Sequence, residues 1–257
     1  MKKDILGYRV DSLSVARCAD GILATLLRDA GNHRHCCWLA CLNPHSYAVA
    51  LDDILFSQAL KDADWLVPDG AGVVLASRLL GQGVAERVTG SDIFSALHQR
   101  MNASGGMKVF FLGATEGTLS QIRDRMAKDY PDIAVVGTYS PPFKPEYSHT
   151  EIDEIINAIN AVEPDVLWVG MTAPKQEKWI HQNRGRLKVK FAGAIGAVFD
   201  FYAGQVKRSH PVFQRLGLEW LPRLIQQPKR LWRRMFVSAP LFVWHVFKQK
   251  MQHSRQC

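Results

Sequence analysis

Much that would announce a function is scarce or missing in this chain of 257 residues. Its five cysteines, at positions 18, 36, 37, 41 and 257, form no CxxC pair and no metal-ligand spacing. That excludes a zinc module and a disulfide framework, and fits reduced core thiols in a cytosolic protein. No GxGxxG turn is present, which counts against a nicotinamide-dependent epimerase or dehydrogenase acting on nucleotide sugars. No well-placed DxD pair is present either, since Asp52-Asp53 lies in a helical context. No apolar segment follows Met1-Lys2-Lys3-Asp4, so no secretory signal is expected. The apolar run over 235–247 is interrupted by Pro240 and His245 and falls short of the roughly 20 apolar residues that span a bilayer. There is no internal repeat and no low-complexity stretch. Acid, finally, is almost missing from the end: residues 201–257 hold eleven Lys or Arg and one acid, Glu219.

What remains is ordinary globular composition, 47% hydrophobic and 22% charged, with a net charge of +8. A positive surplus points to an anionic partner: a phosphorylated ligand, a membrane surface or nucleic acid. The chain is organised around Trp65-Leu66-Val67-Pro68-Asp69-Gly70-Ala71-Gly72, which reads as a short buried strand, a carboxylate at its end, and a glycine turn into a helix. In open α/β sheets ligands sit outside the carboxyl ends of the strands, so Asp69 is aimed at the ligand crevice. The residues alone leave it two roles, cap of the next helix or catalyst. Further buried strands are predicted around 37–42, 109–112, 133–137, 165–170 and 190–193, alternating with amphipathic helices. Ser12 is expected to cap the first helix and Gly31 to end it. Pro44 suits the first position of a helix after Asn43. Thr89 with Asp92 resembles a capping box, Thr150 opens a helix, and Pro174 suits the first turn of another. The alternation predicts an α/β fold: a Rossmann-like, mostly parallel sheet flanked by helices.

Four polar groups fall at predicted strand ends: Asn43, Asp69, Gln176 with Glu177, and Asp200. Ends of parallel strands share one edge, so they can converge. A carboxylate base, several amide and carboxylate groups for hydroxyls, and a basic appendage suit transfer of a group from a phosphorylated donor. A diphosphate leaving group would then be stabilised by Arg or Lys in place of a metal. His45 and His210 read as structural, and Cys41 as a packing residue. Two domains are predicted: 1–200 as the catalytic unit, and 201–257 as a basic helical appendage in which aromatics alternate with arginines. That mixture reads as an interfacial anchor on anionic lipid, with a solvated basic face or a single-strand nucleic-acid surface as the competing readings. A non-catalytic membrane- or nucleic-acid-binding protein is the alternative function. It explains the tail but not the four polar strand ends.

The residues also carry a resemblance. Asn43, Pro68-Asp69-Gly70, Arg87-Val88-Thr89-Gly90-Ser91-Asp92, Phe111-Leu112-Gly113, Phe143-Lys144-Pro145 and Ala173-Pro174-Lys175-Gln176-Glu177 occur in order. Phe199-Asp200, Gly204-Gln205-Val206-Lys207-Arg208 and Gly217-Leu218-Glu219-Trp220-Leu221 with Arg223 follow. Together they resemble the WecG/TagA/CpsF family of bacterial glycosyltransferases, over about residues 40 to 235. The resemblance implies a Rossmann-like domain with a membrane-reaching appendage. It implies inverting, metal-independent transfer of a sugar from a UDP-sugar to an undecaprenyl-diphosphate-linked sugar, in cell-surface polysaccharide synthesis. The protein would be cytoplasmic and peripheral on the inner leaflet of the plasma membrane, with no cofactor and no nucleic-acid partner. The transferred sugar would be N-acetylmannosamine, or glucose or another hexose. The family's base falls on Asp69 and its donor-binding residues on Asn43, Arg87, Gln176 and Asp200. Its arginines for the acceptor diphosphate fall on Arg223, Arg230, Arg233 and Arg234. Two departures stand near the implied donor pocket: Cys41 where the family often has Thr, and Gly193-Ala194-Ile195-Gly196 in place of a glycine pair near Phe199.

Overall fold

The computed structural model describes residues 2–28, 36–84, 86–205 and 232–254. The chain opens with a small antiparallel hairpin, β1 (Lys2–Ile5) and β2 (Tyr8–Asp11). Six strands then form one sheet: β3 (Cys37–Leu42), β4 (Trp65–Pro68), β5 (Met107–Gly113), β6 (Ile133–Tyr139), β7 (Val166–Gly170) and β8 (Phe191–Ala194). Their order is β4-β3-β8-β7-β5-β6, and every pairing is parallel.

The helices are α1 (Val15–Leu26), α2 (Pro44–Asp52), α3 (Ile54–Lys61), α4 (Ala71–Leu79), α5 (Gly90–Ser104), α6 (Glu116–Asp129), α7 (His149–Asn160), α8 (Lys175–Asn183) and α9 (Val198–Tyr202). A π-helical turn, Arg234–Ser238, leads into α10 (Ala239–Ser254).

Both faces of the sheet are covered, because alternate residues of each strand face opposite ways. Along β7, Leu167 and Val169 join one core with Phe56, Ile155, Trp179 and Ile180, whereas Val166 and Trp168 join the other with Ile22, Ile93, Phe94 and Met126. Helices α2, α3, α4, α7 and α8 therefore lie on one face, and α1, α5, α6 and α9 on the other. Phe242 and Val246 of α10 are buried in the first core, so the C-terminal helix is seated on the same face as α2 and α4. Close packing at the sheet centre needs a missing side chain: a Cβ on Gly193 would lie 2.3 Å from the Trp168 ring.

Several helix starts differ from the expectation. Ser14, not Ser12, caps α1 by accepting from Arg17 N–H. That helix ends at Leu26, and Gly31 lies outside the described residues. Ser148 caps α7, pairing reciprocally with Glu151, so the helix begins at His149, one residue before Thr150. Pro174 occupies the cap position of α8, not its first turn. In each case the periodic apolar pattern located the helix to within a turn, and the choice among neighbouring polar residues was made by geometry. Pro44 at the first position of α2 and the Thr89–Asp92 capping box of α5 are as predicted.

Candidate active site

Neighbouring strands β3 and β8 feed helices on opposite faces, α2 and α9. A crevice opens at such a divergence, at the carboxyl edge of the sheet. The loops around it follow β4, β3, β8 and β7, which are consecutive in the sheet.

Asp69 extends β4 by one residue, donating its N–H to Leu42 O at 2.8 Å. The helix behind it is capped by Gly70, whose φ of 97° only glycine adopts readily. Asp69 is thus not the cap residue, and the first of its two candidate roles falls away. Its Oδ2 receives Asn43 Nδ2 at 3.4 Å. The orientation of that amide is fixed locally. Asn43 Oδ1 is used up capping α2, accepting from His45 N–H at 3.0 Å and Ser46 N–H at 2.9 Å, while Ser46 Oγ takes the Asn43 N–H. Only the NH2 group is left to face the carboxylate. Gly72 keeps the two strand ends together: a Cβ there would stand 2.8 Å from Pro44 Cγ.

Arg87 is brought to the same edge by the next loop, because Val88 N–H bonds to Pro68 O at 3.0 Å. Asp92 does not face a ligand freely. Its Oδ2 accepts from Thr89 N–H and Thr89 Oγ1 at 3.0 and 2.7 Å, closing the capping box of α5. Beneath these groups lies Cys41, whose thiol receives the Gly90 N–H. Burial, then the carboxylates of Asp69, Glu177 and Asp92, push that thiol well above its ordinary pKa, so it is an inert protonated packing group.

The three polar residues after Pro174 separate. Lys175 turns outward, its Nζ 3.7 Å from the Tyr147 ring centroid and bonded to Lys144 O. Gln176 and Glu177 turn in and are buried at 4% and 2% exposure. Gln176 Nε2 donates to Glu177 Oε1 at 3.0 Å. Burial raises the Glu177 carboxyl to about 7. Gln176 Oε1 lies against the turn after β8, 3.2 Å from where a Gly196 Cβ would sit. Asp200, half-buried on α9, lies on the β8 side of the crevice.

Arg223 and Arg230 lie outside the described residues. Arg233 caps and Arg234 opens the π-helical turn that leads into α10, and both act electrostatically on His45, two residues past Asn43. Burial first, then Arg234 and Arg233, depress the His45 imidazole to about 4, so it is neutral at physiological pH. Its Nδ1 is 2.9 Å from Ser238 Oγ, and Tyr47 OH is 2.6 Å from His245 Nδ1. His45 is structural, as expected: with Tyr47 it ties α2 to the C-terminal segment. The i, i+2 placement of two polar aromatic residues after Asn43 was the one available signal. Among the described residues no cluster of three or more His, Cys, Asp or Glu has the arrangement of a metal site.

The fold and the site define an α/β protein with a parallel sheet, a carboxylate–amide pair at its carboxyl edge and Arg87 on the loop beside it. The sequence profile of the glycosyl transferase WecG/TagA/CpsF family matches residues 3–256, and the chain belongs to that family. It is 34% identical over 208 residues to an N-acetylglucosaminyldiphosphoundecaprenol N-acetyl-beta-D-mannosaminyltransferase of Bacillus spizizenii, covering 81% of this chain and 77% of that one. A Staphylococcus aureus (strain MW2) protein with the same activity name is 27% identical over 249 residues, 97% of this chain and 93% of its own.

Proposed function

We propose that this glycosyltransferase moves N-acetylmannosamine, or a related hexose, from a UDP-sugar to an N-acetylglucosaminyl-diphosphoundecaprenol acceptor in cell-surface polymer synthesis. The observation that carries the reading is Asp69, held at the carboxyl edge of β4 by an Asn43 amide that has only its NH2 group to offer. The activity names of the two relatives supply the sugar and the lipid carrier.

In this mechanism the acceptor hydroxyl attacks the anomeric carbon while Asp69 takes its proton. The new C–O bond forms as the anomeric C–O bond to the diphosphate breaks, and UDP leaves with the electron pair from the opposite face, inverting the centre. Asn43, Arg87, Gln176 and Asp200 hold the donor. Arg233 and Arg234, with Arg223 and Arg230 of the basic segment, hold the acceptor diphosphate. Guanidinium groups suit that task because they stay charged and bind phosphate oxygens in a bidentate manner. His45 supports this placement: it lies close to Arg233 and Arg234 and two residues from Asn43, so the arginines flank the base's side of the crevice.

Attachment at the cytoplasmic face of the plasma membrane belongs to the same reading. No helix among the described residues is long and apolar enough to cross a bilayer. The turn and α10 instead expose a stripe of large apolar groups, Phe236, Val243, Trp244, Phe247 and Met251, with the Trp232 ring tilted against Phe236, 4.4 Å between centroids. Lys248 and Lys250 lie on the same helix. Exposed aromatics with flanking cations suit the interface of an anionic bilayer.

Release of UDP from a panel of UDP-sugars, with and without the lipid-diphosphate acceptor, tests the function. Acceptor-dependent release from UDP-N-acetylmannosamine, unchanged by EDTA, is expected. No acceptor-dependent release from any UDP-sugar contradicts the reading, and loss of activity in EDTA contradicts its metal independence.

A further inference from the structure

The first turn of α8 holds two buried polar atoms without hydrogen-bond partners, Gln176 Oε1 and Glu177 Oε2. A buried acceptor left unpaired destabilises the fold, and an apolar side chain of similar size would avoid that loss. The surroundings are nonetheless fitted to these groups. Glu177 Oε1 accepts the Gln176 amide at 3.0 Å, and the turn after β8 brings Gly196, with φ of 44°, close against Gln176 Oε1. A carboxylate or carboxyl oxygen accepts only from the NH2 end of an amide. Glu177 in its ionised form thus holds the nitrogen of Gln176 and leaves the oxygen as the unpartnered end of the amide, with both ends lying against the Gly196 turn.

We infer that Glu177 is a positioning residue for the nucleoside-diphosphate-sugar donor, its carboxyl fixing the Gln176 side-chain amide in the orientation that meets the donor. The inference rests on the proposed reading of Gln176 as a donor-binding residue. Glu177 does not itself touch the reacting atoms. Its effect is on donor affinity and not on the chemical step. A purely structural role is separated by the readout: it would move the melting temperature and leave donor KM of the folded enzyme unchanged.

The test compares the full-length wild type with Glu177→Met, Glu177→Gln and Gln176→Leu. Donor KM and kcat are measured with UDP-N-acetylmannosamine and a lipid-diphosphate-linked N-acetylglucosamine acceptor, together with the melting temperature and calorimetric binding of UDP. Glu177→Met should raise donor KM about tenfold, the factor that one hydrogen bond is worth, with kcat nearly unchanged; it also leaves the buried Gln176 NH2 group unpaired, so a lower melting temperature is expected, and Glu177→Gln should recover it. Glu177→Gln keeps an amide oxygen at the same place and should restore donor KM to near the wild-type value. Gln176→Leu should match Glu177→Met, and the double variant should be no worse than either alone. An unchanged donor KM in Glu177→Met overturns the inference while leaving the function standing. So does equal damage to stability and kcat in both Glu177 variants. A wild type that neither binds UDP nor turns over removes the inference together with the function it rests on.

Discussion

Asn43 performs two tasks with one amide, and the two can be separated. Its oxygen caps α2, and its nitrogen faces Asp69. Asn43→Ala removes both, so we expect a loss of about 0.5–2 kcal/mol in stability, the usual cost of an N-cap, together with a fall in kcat. Asn43→Asp keeps a capping oxygen but puts a second carboxylate beside Asp69. Its melting temperature should stay near wild type while kcat falls, because like charges raise the pKa of the base and the NH2 donor is gone. Equal kcat for wild type and Asn43→Asp would show that the nitrogen does not matter. Much at this scale was legible in the sequence. Asp69 and Asn43 follow short apolar runs, and a residue at the end of a buried parallel strand has only the sheet edge to occupy. Gln176 with Glu177 could be placed at a strand end, but their burial, against the outward turn of Lys175, was not legible. Adjacent polar residues in a helix's first turn look alike until packing turns one outward over Tyr147 and buries the next two.

At the scale of elements, α10 has two unlike faces. Phe242 and Val246 are buried in the core, whereas Trp244 is 62% and Phe247 48% exposed. Substitution of the exposed pair, Trp244→Asp with Phe247→Asp, should leave the melting temperature nearly unchanged, as surface changes usually do. It should reduce co-flotation with liposomes of anionic phospholipid, and equal flotation would contradict the membrane reading. Phe242→Ala should act the other way, costing roughly 3–5 kcal/mol through the cavity it leaves, provided α10 remains docked. Tyr47→Phe removes the bond to His245 and should cost about 0.5–1.5 kcal/mol. The strands were legible because parallel strands covered on both faces read as unbroken apolar runs. The β1–β2 hairpin was not, since Lys2, Lys3 and Asp4 give a short strand little apolar pattern. The docking of α10 was not either: Phe242 and Trp244 are equally apolar, and only the position of α2 and α4 decides which is covered.

At the scale of the whole molecule, two imidazoles of the described residues, His98 and His45, are held neutral when folded. His98 is fully buried, accepts from Trp168 Nε1 at 3.1 Å, and is lowered by burial to about 3, while His45 is lowered to about 4. Unfolding restores their ordinary value near 6.5, so below that pH the unfolded chain binds more protons. Their contribution to stability is therefore lost as pH falls from about 6.5 toward about 3. Glu177 acts in the opposite sense: raised to about 7, it contributes most below its unfolded value of 4.5 and is lost as pH rises through about 7. Melting temperatures across pH 3.5–8 should fall on the acid side. His98→Gln, which keeps an acceptor for Trp168, should flatten that fall, and an unaltered acid slope in this variant would contradict the assignment. The proposed function turns on one claim, that the carboxylate of Asp69 accepts the acceptor's proton. Single-turnover transfer by Asp69→Asn, set beside calorimetric binding of UDP to the same variant, tests it most directly. The account predicts a rate lower by about 10² to 10⁴, the span of general-base catalysis, with UDP affinity retained; transfer at the wild-type rate would contradict it.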